Sequence, residues 1–302
     1  MSVEVLLTLA GARAREHASL AGLTTYRVGG SARVLLTLER LEDLMELGPT
    51  LRASGLPLVV VGNGSNLLVA DGEHDIIALH LGAGFTSLDW TDRDGVVEVR
   101  AGAALDLPVA ARRLAADGVV GFEWAVGVPG TFGGAVAMNA GGHGSDMASS
   151  VASVTLWRES LVSVSAADLH FGYRESALEA GDVVVEVTLR LRRGDAEAAR
   201  GALRDVVAWR RAHQPGGANA GSVFRNPPGD SAGRLIESVG AKGLRLGSAV
   251  VSDKHANFIQ VDAGGRANDV YELAREVAAR VREATGVDLE FEHRLIGFGG
   301  AS

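Results

Sequence analysis

Residues 127–144 read Gly-Val-Pro-Gly-Thr-Phe-Gly-Gly-Ala-Val-Ala-Met-Asn-Ala-Gly-Gly-His-Gly, with seven glycines in eighteen positions and no Asp, Glu, Lys or Arg. So bare a run has little side-chain stripe to bury. What it offers is exposed backbone, because glycine has no Cβ in the way and reaches positive φ cheaply. The natural guest for such backbone is a diphosphate, held by nests of amides and by the positive end of a helix. A second loop points the same way. Leu58–Val61 reads as a buried strand, and Gly62-Asn63-Gly64-Ser65-Asn66-Leu67-Leu68 follows it directly. Two such loops, far apart in sequence, suggest a nucleotide cofactor gripped from two sides. The competing reading is tight strand reversal, since the chain has 40 glycines in 302 residues. Neither loop matches G-x-G-x-x-G opening a helix or G-x-x-x-x-G-K-[ST], and neither contains lysine. A nicotinamide-type doubly wound domain and a P-loop NTPase are therefore not expected.

A chain of this length exceeds one comfortable core, so two or three domains are expected. The net charge of −8, from 29 basic and 37 acidic residues, argues against a general nucleic-acid surface. With no cysteine, disulfides, thiolate metal sites and Cys nucleophiles are excluded, which suits a reducing cytoplasm. Met1 to Leu20 carries Glu4, Arg13, Arg15 and Glu16 and does not read as a secretory signal. No window approaches eighteen apolar residues. The expectation is a cytoplasmic monomer with neither membrane nor nucleic-acid partner.

Periodicity predicts helices over 41–54, 105–117 (ending at Gly118), 195–213, 231–239 and 267–285. In the last, Val270, Leu273, Val277 and Val281 form one stripe, and Asn268 or Asp269 is the expected cap. Strands are predicted at 57–61, 75–81, 95–101, 151–157, 182–192, 257–262 and 287–296. The layout is α+β, with lobes over 1–82 and 83–195 and a C-terminal domain over 196–302.

Three segments carry candidate chemistry. In Phe171-Gly172-Tyr173-Arg174-Glu175-Ser176, a tyrosine sits beside an arginine. Residue type alone favours an aromatic packed at a domain edge with Arg174 solvated; a guanidinium in a crevice would instead stabilise developing negative charge. In Asn219-Ala220-Gly221-Ser222-Val223-Phe224-Arg225-Asn226-Pro227-Pro228, Ser222 would sit at the mouth of a strand. This is not G-x-S-x-G, so the options are a turn or capping serine, the more common use, or a hydroxyl that protonates a carbanion. In Leu289–Gly297, strand alternation puts Glu290, Glu292 and Arg294 on one face, with Leu289, Phe291, His293 and Leu295 on the other. The charged face suits either solvent or a crevice where a carboxylic acid and an arginine flank a substrate. No metal site is expected, and His143 and His255 are read as structural.

Taken together, the segments resemble the UDP-N-acetylenolpyruvoylglucosamine reductases, flavoenzymes of peptidoglycan precursor synthesis. The resemblance runs from Leu23-Thr24-Thr25-Tyr26-Arg27-Val28-Gly29-Gly30 to Arg294-Leu295-Ile296-Gly297. The 62–68 loop and the Val128-Pro129-Gly130 run resemble flavin-binding loops of the wider fold family. Gly172–Ser176, Gly221–Pro227 and Lys254-His255-Ala256-Asn257-Phe258 resemble segments specific to the reductases. The resemblance implies a two-lobed FAD-binding domain of the vanillyl-alcohol-oxidase/PCMH type plus a C-terminal α+β substrate-binding domain. It implies non-covalent FAD held by Gly62, Asn63, Gly64, Ser65, Asn66, Leu67, Val128, Gly130, Thr131, Gly134 and Ala135, with NADPH as a transient co-substrate. Arg174 and Glu292 match the residues that stabilise an enolate-like intermediate, and Ser222 the one that protonates its α carbon. Tyr173, Arg225, Asn226 and Arg294 fall where a UDP-sugar would be held. The departures are arginine at 225 for the usual lysine, and Phe291 and His293 where proline and valine are usual. No tyrosine occurs between Tyr173 and Tyr271, so the chain resembles the shorter form without a tyrosine-bearing insertion. The alternatives are a flavin oxidase of a small alcohol or sugar on the same fold, and a non-catalytic nucleotide-sugar binder. Many such oxidases tether flavin through histidine or cysteine, and the 62–68 loop has neither.

Overall fold

A computed structural model of the chain describes residues 3–299. Its backbone contacts divide into two units, one comprising 1–16, 34–62 and 75–210, the other 17–33, 63–74 and 211–302.

The first unit is built on the strand Val183–Arg193. Its period-two pattern buries Val185, Val187, Leu189 and Leu191 while Arg190 and Arg192 face water. It pairs antiparallel with Val151–Trp157 on one side and Val96–Gly102 on the other, in a six-stranded sheet. The predicted helix at 41–54 is found as Leu41–Ala53, and one core contact explains its glycine. A Cβ at Gly48 would overlap the indole of buried Trp157, so only glycine lets this helix lie against that ring. Close by, Leu58–Val60 runs parallel to Glu73–Leu81, with Leu58 opposite Ile77 and Val60 opposite Leu79. The helix Leu107–Ala116 ends where expected, with Gly118 at φ 71°. Helix Ala196–His213 also matches its predicted span.

In the second unit, helix Ala267–Thr285 buries Val270, Leu273, Ala274, Val277 and Val281. It packs on the antiparallel strands Arg245–Leu246, Ala249–Val251 and Ile259–Val261 and on the short helix Ala232–Ser238. Its start differs from expectation. The residue before the helix is Arg266, whose side chain makes no cap. The capping oxygens come from Asp71, whose carboxylate accepts from the amides of Ala267 (3.1 Å) and Asn268 (3.2 Å). Asn268 returns the bond by accepting from the Asp71 amide (3.2 Å), and Asp269 turns away to accept from the Ser248 amide and hydroxyl (2.7 Å each).

The strand expected at 287–296 is also different. Only Arg294–Ile296 is a regular strand, and it pairs parallel with Leu67–Val69. Phe291 makes an isolated antiparallel bridge with Phe224. The segment is handed between two partners, so no continuous strand forms. No helix among the described residues is long and apolar enough to cross a membrane.

Candidate active site

Within the first unit the two glycine-rich segments touch. A Cβ on Gly62 would lie 2.5 Å from Oγ1 of Thr131, which is 5 % exposed. Glycine at 62 is therefore what lets the loop after Leu58–Val60 close against the run at 127–144. Gly130 has φ 123°, a value that disfavours any side chain. Phe132–Ala137 forms a six-residue helix inside the run. Its first two amides are engaged by the protein itself, Phe132 with the Leu105 carbonyl (3.1 Å) and Gly133 with that of Ala103 (2.8 Å). In the second unit Gly64, at φ 57°, lies so close to the backbone of Leu23 and Thr24 that a Cβ there would overlap it. Each glycine thus packs its loop closely on its own unit, and neither loop carries an acidic side chain that would repel a diphosphate.

Arg174 sits on a hairpin tip attached to this same glycine-rich run. Gly172 and Glu175 form an antiparallel bridge, and Arg174 between them adopts φ 61°, an uncommon conformation for a side-chain-bearing residue. Three bonds hold the tip to 127–144. Asn139 Nδ2 donates to the Gly172 carbonyl (2.9 Å), Ser176 Oγ to the Ala137 carbonyl (3.1 Å), and Arg174 Nη1 to the Gly141 carbonyl (3.3 Å). The guanidinium also lies over the ring of Tyr173, 5.5 Å from its centroid, and that ring is 53 % exposed. Asn139 was not anticipated as part of this assembly. Buried at φ 37°, it also accepts from the Ala148 amide (2.9 Å).

The second unit brings Ser222, Glu292 and the 63–68 loop together. The Glu292 amide donates to the Val223 carbonyl (2.8 Å) and the Arg225 amide to the Glu290 carbonyl (2.9 Å), around the Phe224–Phe291 bridge. Glu292 thus stands opposite Val223, where the ladder ends, because the Val223 amide turns to the Asn257 carbonyl and the Glu292 carbonyl to Asn66. Asn66 locks the other side, with Nδ2 donating to the Glu292 carbonyl (2.9 Å) and its own carbonyl accepting from the Arg294 amide (2.9 Å). A residue expected at the cofactor and one expected at the chemistry are therefore directly bonded. The opposite edge of the Ser222 segment is held by buried Asn257. Its amide side chain exchanges bonds with both the carbonyl (2.8 Å) and the amide (3.0 Å) of Phe224, and its main-chain carbonyl accepts from Val223 (2.9 Å). Arg225 has a buried Nε without a hydrogen-bond partner. Asn226 is exposed, and its side-chain Oδ1 accepts from the Ala232 amide at the start of Ala232–Ser238 (3.0 Å). Arg294 is exposed on its strand.

Among the histidines, His143 meets Trp209 edge-on (centroids 5.1 Å), and burial, then Arg210, lowers its pKa. His255 packs on Phe258 and is likewise lowered, chiefly by burial. The strongest perturbation falls on His293, which sequence reasoning assigned only to an apolar face. Burial pushes its pKa down to about 4, against a partly opposing pull from the backbone of Ala220 and Gly221.

Comparisons with known proteins agree with this picture. Residues 32–160 match the FAD binding domain family, and residues 213–296 match the C-terminal domain of UDP-N-acetylenolpyruvoylglucosamine reductase. The chain is 42 % identical over 282 residues to the UDP-N-acetylenolpyruvoylglucosamine reductase of Heliobacterium modesticaldum, covering 92 % of this chain and 88 % of that one. A crystal structure of the reductase from Thermus caldophilus superposes with a TM-score of 0.79 at 38 % identity, covering 92 % of this chain and 97 % of that one. The structure of Phl p 4.0202, a glucose dehydrogenase, is similar in fold alone, with a TM-score of 0.50 at 14 % identity over 70 % of this chain and 49 % of that one. The expected fold class is the one found: an FAD-binding domain followed by a reductase-type C-terminal domain.

Proposed function

The chain belongs to the UDP-N-acetylenolpyruvoylglucosamine reductase family, and on that premise we propose that it reduces UDP-N-acetylglucosamine enolpyruvate to UDP-N-acetylmuramate, a peptidoglycan precursor, at the expense of NADPH. FAD, when bound, would supply the hydride-transfer chemistry between NADPH and the enol ether. Gly62–Leu67 and Val128, Gly130, Thr131, Gly134 and Ala135 are the residues that would hold it.

The rest of the reaction is side-chain work. Hydride arrives at the methylene carbon β to the carboxylate, which becomes a methyl group. The π electrons move to the α carbon and spread into the carboxylate. Arg174 offsets that charge with a fixed guanidinium, and Glu292 supports it in protonated or hydrogen-bonding form. Ser222 delivers its hydroxyl proton to the α carbon and is reprotonated from water. Tyr173, Arg225, Asn226 and Arg294 hold the sugar nucleotide. The observation that supports these roles best is the bonding that sets the Glu292 backbone against Val223, the residue after Ser222, and against the Asn66 side chain.

The test is acceptor dependence. FAD-loaded protein should oxidise NADPH rapidly only when the enolpyruvyl sugar nucleotide is supplied, with UDP-N-acetylmuramate as product. Equal NADPH consumption with a small alcohol or sugar or oxygen alone would overturn the reading.

A further inference from the structure

Asn139 is a buried side chain of the glycine-rich run whose amide bonds entirely outside the helix it follows. It stands just past the end of Phe132–Ala137, 5 % exposed and at φ 37°. Asparagine tolerates that left-handed backbone, but glycine would serve it as well. What glycine lacks is the amide, and here the amide is fully used. Its Oδ1 accepts from the Ala148 amide (2.9 Å), which fixes the end that carries oxygen. Nδ2 then faces two acceptors, the Asp146 carboxylate (3.2 Å) and the Gly172 carbonyl (2.9 Å). Asp146 is itself held, because its other oxygen accepts from the Ser149 amide (3.1 Å) and its backbone pairs with Gly141.

The bond to Gly172 matters because the hairpin tip closes weakly by itself. Across the Gly172–Glu175 bridge, the Gly172 amide reaches the Glu175 carbonyl at 3.1 Å, but the return bond to the Gly172 carbonyl is 3.5 Å long. Asn139 makes the shorter of the two bonds to that carbonyl. Arg174, between Gly172 and Glu175, is at φ 61°, a backbone state that persists only where the surroundings enforce it. Its guanidinium returns to the same support, since Nη1 donates to the carbonyl of Gly141, the residue paired with Asp146 (3.3 Å).

We propose that Asn139, braced by Asp146, is a positioning residue that holds the Gly172 carbonyl and so keeps Arg174 in its left-handed conformation, with the guanidinium fixed for the charge that develops on the substrate carboxylate. The proposal rests on the assignment of Arg174 as the group that offsets that charge. A tip that drifts weakens this one interaction and leaves the NADPH half-reaction intact, so the defect belongs in the step that reoxidises the flavin.

The test follows both half-reactions by stopped-flow absorbance in the full-length, FAD-loaded protein, together with the melting temperature. Asn139→Asp keeps the shape and the Ala148 bond but sets a carboxylate against both the Gly172 carbonyl and Asp146. Flavin reoxidation by the enolpyruvyl sugar nucleotide should slow by about tenfold or more, with flavin reduction by NADPH changed by less than about twofold and the melting temperature lowered. Adding Asp146→Asn gives the new carboxylate a donor and still accepts from Ser149, yet nothing donates to Gly172. The double variant should therefore regain most of the melting temperature while reoxidation stays slow. Wild-type reoxidation in Asn139→Asp overturns the proposal, as do equal slowing of both half-reactions and reoxidation that recovers together with the melting temperature. If neither variant folds, or the melting temperature does not recover, Asn139→Gly decides, because glycine fits φ 37° and removes only the amide. Selectively slow reoxidation there supports the proposal, and the wild-type rate overturns it. Arg174→Ala separates the two layers. Full turnover in that variant removes Arg174 from the reaction and the premise with it. A large loss there beside normal reoxidation in Asn139→Asp removes only the positioning role.

Discussion

Acidification should destabilise the second unit through one residue, His293. In the folded chain its pKa falls from 6.5 to about 4, chiefly because the ring is buried. The sign follows from linkage. Between these two values the unfolded chain binds a proton that the folded chain refuses, so stability is complete above about pH 6.5 and is lost as the pH falls toward 4. At about 1.4 kcal/mol per unit the full effect is about 3 kcal/mol, of which about 2 kcal/mol is gone by pH 5. Other groups titrate in this range, so the useful quantity is the difference between wild type and His293→Val, which lacks the group. Urea unfolding followed by far-ultraviolet circular dichroism at pH 7.5 and pH 5 measures it. Tryptophan fluorescence would miss it, because Trp90, Trp124, Trp157 and Trp209 all belong to the first unit. The wild-type midpoint should fall relative to the variant by about 1 M urea between these conditions. Parallel pH dependence in the two proteins would show that His293 titrates normally in the fold, and the burial argument would fail.

Two further substitutions probe the loops. Gly62→Ala puts a Cβ 2.5 Å from Oγ1 of buried Thr131, so one of the two glycine-rich segments must shift. The expected cost is about 1–3 kcal/mol of stability together with weakened FAD retention, read by thermal melting and by flavin released on gel filtration; unchanged values in both would show that the contact is not needed. Asp71→Ala removes the carboxylate that caps Ala267–Thr285 and should lower stability by about 1–2 kcal/mol in urea unfolding, without changing kcat. A midpoint equal to wild type would mean that the cap residues next to the helix take over.

The chain's periodic elements were legible without the structure. Helices 41–53, 107–116 and 267–285 and strand 183–193 are marked by their apolar spacing, and local patterns of that kind survive tertiary context. What could not be read were pairings set by distant chain. Asp71 caps a helix that begins 196 residues later, which made Asn268 and Asp269 look like the natural caps. Residues 287–296 alternate as a strand should, yet Phe291 is claimed by Phe224 and Arg294–Ile296 by Leu67–Val69. The candidate residues were legible as types in suggestive company, and the resemblance assigned their roles. Asn139 and Asn257 were hidden for another reason. Each replaces strand or turn bonds with a side-chain amide, and an asparagine doing so looks like any loop asparagine. His293 was placed on its apolar face, but nothing in its neighbours announces a buried imidazole without a hydrogen-bond partner.

The most direct measurement is an anaerobic absorbance experiment in two steps on the FAD-loaded protein. Adding NADPH alone should bleach the flavin band once, without further NADPH consumption. Adding the enolpyruvyl sugar nucleotide should then restore the band, with one equivalent of UDP-N-acetylmuramate formed for each flavin reoxidised. A band that stays bleached in the presence of that substrate, but recovers with a simple alcohol-derived carbonyl or with air alone, would contradict the account.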